Sequence, residues 1–361
     1  MVFIFCASAL PGQEEGPLYA LYEAGKCAQF VEAVGKQSED SLSAQLCLFS
    51  GVCLMELAEY QSALGYLDRA VRKDRDLAMG YFFKAEALFQ LNRLPEALVQ
   101  YDNAIHLKPE VPDFLVSKGN ALFQAGNFPE AISCFHGAIM LPSCPERAYL
   151  FLARALQENR QTDEAFAAYY RALEVLDPEG ATYRECLQRL GTAEYLRGNL
   201  FSAEAAFHRL LDLDPNDYQG IGKLIQVHFA KKEYQKGMAL KMHLYSAYNR
   251  AQLPKEMAEN GFCFDQFEWE GKRIYAYERF EEPEGYYVKH RFLVTDSQDR
   301  LLLTVQTEHT LEASLLGKKY ILGKVEGDKH VLFEKMAFDD NFDYESLKKA
   351  VIRVLEGKTK L

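Results

Sequence analysis

The tetrapeptide Ala87-Leu88-Phe89-Gln90 returns one 34-residue step along the chain as Ala121-Leu122-Phe123-Gln124. A second motif moves in step with it. Pro95-Glu96-Ala97 recurs as Pro129-Glu130-Ala131, and Asp163-Glu164-Ala165 follows after one more step of the same length. Working outward, Ala63, Ala97, Ala131 and Ala165 form a ladder with that step; the next rung, Ala203, stands a little further off, and Gly237 restores the regular interval. The four extra positions fall at Pro178–Ala181, a turn-rich junction where an insertion costs little. A fixed period in this range marks stacked copies of one supersecondary unit rather than a single globular core.

Other positions keep the same step. Small residues recur at Gly51, Ala85, Gly119, Ala153 and Gly191, where one helix of a unit meets the next. Four positions beyond the ladder stand rings: Tyr101, Phe135, Tyr169 and Phe207. A second small residue follows at Ala70, Ala104, Ala138 and Ala172, and units close near Pro109, Pro142, Pro178 and Pro215. Small residues let two helices approach, the ring fills the space beside the contact, and proline stops the second helix. This pattern resembles the tetratricopeptide repeat, a 34-residue helix–turn–helix. The resemblance spans roughly two thirds of the chain, with units at about 44–77, 78–111, 112–145, 146–179, 184–217 and 218–251. Residues 17–36 read as a degenerate seventh unit or an N-terminal cap.

After Leu253-Pro254 the period stops and strand patterns begin. Strands are predicted at 262–269, 273–281, 286–296, 301–310, 320–326 and 329–338, with tight turns at Glu270–Lys272, Ser297–Arg300 and Gly327-Asp328. Asp343 is placed to cap a helix whose Leu347, Val351, Val354 and Leu355 share one face and which ends at Gly357. The expected fold is therefore an all-α tetratricopeptide solenoid followed by a smaller α+β domain, a mostly antiparallel sheet of about six strands with a C-terminal helix over one face. The expected domains are 17–253 and 254–361, parted at the Pro-containing junction, behind a segment 1–16 that reads as a truncated signal or targeting sequence.

Compartment signals conflict. Ala7-Ser8-Ala9 suits a secretory cleavage site, yet no basic run precedes it. The eight cysteines contain no Cys-x-x-Cys pair and several fall on helix-core positions, which argues against a disulfide framework. Export to the periplasm or cell envelope is the expectation, with the cytoplasm as the alternative. No run reaches the ~18 apolar residues of a membrane span. The net charge is −11 and shared by both parts: residues 1–253 hold 24 Lys/Arg against 31 Asp/Glu, and 254–361 hold 17 against 21. No basic patch is visible, so nucleic acid is not expected as a ligand.

No catalytic, nucleotide or metal motif occurs in the sequence. Catalytic, cofactor-binding and metal residues are accordingly predicted as none, and the chain is expected not to be an enzyme. Glu278, Arg279, Lys289, His290, Arg291, Glu308 and His309 are read as a solvated sheet face, and Asp339–Glu345 fails as a calcium loop because Tyr344 and Ala350 stand where glycine and glutamate are needed. The resemblance implies that the first helix of each unit lines a groove for a peptide or partner protein. By spacing, the groove residues are Phe82, Glu86, Phe89 and Gln90, then Asn120, Phe123 and Gln124, then Arg154 and Gln157, with Gln188 and Gln226 in later units. A carboxylate clamp of the family kind is matched only in part, by Asn120, Arg147 and Arg154, and is not predicted. The expected function is a non-enzymatic interaction scaffold or adaptor, with a homo-oligomer compatible. The alternatives are an enzyme sited in the β domain and a cell-envelope assembly factor that uses both domains.

Overall fold

Three glycines show how each helix pair closes. A Cβ built on Gly51 would lie 2.5 Å from the Leu67 side chain, on Gly119 2.7 Å from the Phe135 ring, and on Gly191 2.8 Å from the Phe207 ring. Each partner stands at the same sequence interval after its glycine, so the small positions of the first helix and the bulky positions of the second interlock as the ladder requires. In the computed structural model, which describes residues 16–38, 41–280, 290–309, 318–326, 329–338 and 344–357 (and side chains in all of these but 307–338), the pairs run in series. They are α1 (Gly16–Glu23) with α2 (Cys27–Gly35), α3 (Ala44–Glu56) with α4 (Tyr60–Lys73), and α5 (Ala78–Gln90) with α6 (Leu94–Leu107). Next come α7 (Pro112–Gln124) with α8 (Phe128–Ile139), and α9 (Arg147–Glu158) with α10 (Thr162–Val175). The last are α11 (Ala181–Leu196) with α12 (Leu200–Leu213), and α13 (Tyr218–Ala230) with α14 (Tyr234–Asn249). The expected segment 1–16 lies, but for Gly16, outside the described residues.

The turn inside each pair is as periodic as the core. Ala58, Asn92, Gly126, Arg160, Gly198 and Lys232 all have positive φ, between 58° and 82°. They keep the step of the ladder throughout, save for the longer interval between Arg160 and Gly198, which puts the insertion where the ladder placed it. After each, a backbone N–H reaches back along the first helix, as from Glu59 to Leu54, Arg93 to Leu88 and Asn127 to Leu122. This left-handed closure satisfies the carbonyls at the end of the first helix and turns the chain into the second.

The chain divides into two compact units at Tyr183/Arg184, a boundary inside α11. In the first unit the ladder alanines and second small residues are buried, with Tyr101, Tyr169, Tyr183, Phe30, Phe114 and Phe135 as the largest enclosed rings. Successive repeats are also linked by charge. Lys84 pairs with Asp68 at 2.8 Å and Lys118 with Asp102 at 2.6 Å, the same contact one period apart.

The second unit joins α11–α14 to the sheet. After the short helix α15 (Lys255–Asn260) come β1 (Phe262–Trp269), β2 (Lys272–Glu278), β3 (His290–Thr295), β4 (Leu301–His309), β5 (Lys318–Glu326) and β6 (Lys329–Phe338), then α16 (Tyr344–Leu355). All strands are antiparallel neighbours in the order β1-β2-β3-β4-β5-β6. The expected turn at Gly327-Asp328 lies outside the described residues, as do residues 281–289 and 339–343, the expected cap Asp343 among them.

The change from helices to strands falls where the period ends, but the division into compact units does not fall there. Ile221, Ile225 and Phe229 of α13 and Leu244 of α14 share one core with Phe262, Phe264, Ile274, Ala276, Phe292 and Val294 of the sheet and with Leu347, Val351 and Val354 of α16. The exposed side of a last repeat is apolar because it expects another repeat, and here β1 takes that place. Residues 254–361 thus hold only part of the core that covers them.

Candidate functional site

Each predicted groove residue sits on the first helix of its pair, and the structure separates them by burial. Phe82 is 7% exposed and stacks on Phe114 with centroids 4.9 Å apart. It is a core residue between neighbouring repeats, which corrects its assignment as a partner contact. Glu86 and Gln157 are engaged within their own pairs: the Tyr101 hydroxyl donates to Glu86 Oε1 at 2.6 Å, and the Tyr169 hydroxyl donates to Gln157 Oε1 at 2.6 Å. A buried tyrosine needs an acceptor for its hydroxyl, so these two side chains first serve the repeat. Phe89 is half-buried against the core, whereas Gln90 and Gln124 are exposed.

Phe123 and Arg154 are brought together. The Arg154 guanidinium lies 5.1 Å from the Phe123 ring centroid and 5.7 Å from that of Phe151, and Phe123 also meets Phe128 edge-on at 5.5 Å. Asn120 is half-buried one turn before Phe123 on α7. These three side chains form a small aromatic–amide–cation surface across two successive repeats. Arg147 does not join it, because Asp113, one period earlier, holds its guanidinium.

The second unit contains features that the sequence reading passed over. Glu278 and His290 lie not on a solvated face but 3% and 6% exposed, in cross-strand register on the core side of the sheet. Lys241 of α14, itself 2% exposed, donates to Glu278 Oε2, and the Tyr245 hydroxyl donates to Oε1 at 2.8 Å. The Lys241 ammonium also sits 4.0 Å from the Phe264 ring centroid and 4.9 Å from that of Phe229. Burial opposes the charged form of Glu278, yet Lys241 and His290 hold its carboxyl far below the usual range. Burial also pushes His290 down, against the pull of Glu278. The alternation Ile274-Ala276-Glu278 shows in the sequence that Glu278 shares the apolar face; its charge alone argues otherwise. His309 lies among residues whose side chains are not described.

Glu204, His208 and His228 approach closely enough to share a cation. A cation is already supplied: the Lys231 ammonium contacts Glu204 and lies 3.2 Å from Glu233, whose other oxygen is 2.9 Å from His228 Nδ1.

A cleft of about 590 Å³ opens beside this helix pair. One wall is the α13 face of Gln219, Gly222, Lys223 and Gln226; the other carries Tyr277 and Arg279 from β2 and its continuation, and Arg291 and Leu293 from β3. Gln226 donates to the Cys263 carbonyl at 2.9 Å, which fixes that wall to β1. Burial pushes the Cys263 thiol up to about 12, which favours its protonated form near neutral pH. Gln188 and Gln226 were legible from repeat spacing. Lys223, one turn before Gln226, shares its face and was findable by the same rule.

Among the described residues no helix is long and apolar enough to cross a membrane. Two family profiles match the helical part, one described as TPR repeat over residues 85–126 and one as tetratricopeptide repeat over 116–181. No curated protein matches the chain. Among solved structures, the C-terminal part of a TPR repeat-containing protein from Cytophaga hutchinsonii aligns with a TM-score of 0.52 at 17% identity, covering 64% of this chain and 92% of that one. YrrB, titled a TPR protein with an unusual peptide-binding site, aligns at 0.41 with 21% identity over 48% of this chain and 88% of its own. PilW, a type IV pilus biogenesis factor, aligns at 0.48 with 17% identity over 57% and 94%. The periodic helix pairs, their interlocked small and large residues and the profile matches over residues 85–181 agree: the helical part of this chain carries tetratricopeptide repeats.

Proposed function

We propose that the protein is a non-enzymatic interaction scaffold whose first-helix surface at Asn120, Phe123 and Arg154 contacts a peptide or partner protein. The observation that carries this reading is the Phe123–Arg154 contact, which sets a half-buried ring and a half-buried cation together at the edge of the repeat core. An amide can hold the backbone of an extended ligand while a ring and a guanidinium take its side chains. Exposed Gln90 and Gln124, equivalent positions one period apart, extend the surface along α5 and α7.

The enzyme alternative would draw on Glu278 and His290. Their enclosure by Lys241, Tyr245 and the Phe229 and Phe264 rings supports a structural role instead. The test is capture of a partner by the intact protein, followed by calorimetric titration against Asn120→Ala/Arg154→Ala. A loss of about 1–3 kcal/mol of binding in a normally folded variant is expected. Wild-type affinity in that variant would remove this surface from consideration.

A further inference from the structure

We infer that the cleft between α13 and the β2–β3 face is a second binding site, one for carboxylate groups on an extended acidic peptide. Its chemistry differs from that of the chain around it. The protein carries a net charge of −11, yet Lys223, Arg279 and Arg291 converge on this one concavity, and Glu256 is the single acid among its described lining residues. Tyr277 and Arg291 are direct cross-strand partners, and Arg279 lies two positions beyond Tyr277, so the two guanidiniums project from the same face of the sheet. Lys223 answers them from the helix.

Two of the three cations are partly held. Arg279 donates to the Glu259 carbonyl at 3.3 Å, and Lys223 is half-buried, while Arg291 is exposed at the rim. A guanidinium in a partly desolvated concavity pairs with carboxylate in a planar, two-bond geometry that water-exposed lysines do not offer. The rest of the lining suits a peptide. Gln188 and Gln219, whose amides meet at 3.3 Å, offer groups for main-chain hydrogen bonds, while Leu293 and Tyr277 offer apolar contact between acidic positions. At Gly222 an added Cβ would meet nothing within 4 Å, so the helix backbone is open to a close-lying ligand. A long polyanion is disfavoured. Nucleic acid would feel the acidic field of the whole protein, whereas a short peptide feels mainly the local cations.

The site is independent of the Asn120–Arg154 surface, so either reading can fail alone. The test is fluorescence anisotropy on the full chain with fluorescein-labelled tetraglutamate, its C-terminally amidated form, C-terminally amidated tetraglutamine and a tetrathymidylate. Tetraglutamate binding that weakens as salt rises is expected. Lys223→Gln/Arg291→Gln should weaken it about tenfold or more, near 1.4 kcal/mol. Arg300→Gln, an exposed cation at the β3–β4 turn, should leave it unchanged, as should Asn120→Ala/Arg154→Ala. A tenfold loss on amidation identifies a chain-terminal carboxylate as the group held, and no loss identifies side-chain carboxylates. Equal binding of tetraglutamine, tighter binding of the oligonucleotide, or an unaffected Lys223→Gln/Arg291→Gln variant would overturn the inference. Emission of Trp269 on β1 checks that the second-unit variants are folded, and far-ultraviolet circular dichroism checks Asn120→Ala/Arg154→Ala.

Discussion

Replacing Lys241 with methionine tests whether the last repeat and the sheet are one structure. Met conserves the length and apolar contacts of the lysine stem but removes the ammonium that Glu278 meets. The Glu278 carboxylate then keeps the Tyr245 hydroxyl at 2.8 Å and the His290 ring at 3.4 Å, with no permanent cation. Both side chains of the pair are at most 4% exposed, so solvent screening offers little relief. Removing one partner of a buried pair costs about 3–5 kcal/mol, most of it from the stranded charge. Contacts of the ammonium with the Phe264 and Phe229 rings are lost as well. The chain has a single tryptophan, Trp269, and it lies on β1, so its emission during urea unfolding reports the second unit by itself. Far-ultraviolet circular dichroism reports mainly the helices. Lys241→Met should move the tryptophan transition by the full amount, about 3–5 kcal/mol, while adding Glu278→Gln should restore most of the loss by removing the stranded charge. A single substitution costing less than about 1 kcal/mol, the range of an exposed pair, would refute the reasoning and return residues 254–361 to the status of a separable domain.

Two further outcomes follow from the same structure. Arg160 holds a left-handed turn position, φ 61°, that Gly126 and Gly198 fill in neighbouring repeats; Arg160→Gly should therefore stabilise the first unit by about 1 kcal/mol in thermal unfolding, and a lowered melting temperature would count against the turn assignment. Glu278 and His290 are both held below their ordinary values of 4.5 and 6.5, so their contributions are full above the unfolded value and are lost as pH falls. The urea midpoint of Trp269 should thus drop between about pH 7.5 and 5.5 through His290 and further below about 4.5 through Glu278, and His290→Gln should flatten the upper part; parallel curves for variant and wild type would rule that out.

The repeats were legible because their constraint is local and repeated. The same helix–helix contact must be solved in unit after unit, and each solution leaves a small residue at a fixed distance from a large one, as at Gly119 with Phe135 and Gly191 with Phe207. Strand positions were legible for a similar reason, since alternation and turn residues act within a few positions. Phe82 shows the limit. It occupies a first-helix position that spacing assigns to the groove, but a neighbouring phenylalanine at 114 draws it into the core, and only the three-dimensional pairing decides between them. Glu86 and Gln157 show another limit, since spacing put them on the groove but did not show that each accepts the hydroxyl of a buried tyrosine. Glu278 and His290 were misplaced because charge outweighed register in the reading, while a partner far back in the chain, Lys241, makes their burial tolerable.

That long-range pairing bears on why the sheet is attached to the repeats at all. A repeat array must end on a surface that does not invite another copy, because each unit leaves an apolar face for the next. Ordinarily a polar capping helix supplies that end. In this chain α13 carries Ile221, Ile225 and Phe229 on the side where a further repeat would stack, and β1 covers them with Phe262 and Phe264. An edge strand alone would exchange one exposed hazard for another. Here the register of β1 is irregular between Cys263 and Asp265, and the Gln226 amide reaches across to the Cys263 carbonyl there. Asp265 is fixed in turn by the Tyr344 hydroxyl at 2.6 Å and by Lys348 at 3.3 Å, which seats α16 over the same core. The polar contacts that fix the cap also leave the cationic cleft on the other face of β2 and β3, so ending the array and forming that recess are consequences of one packing solution.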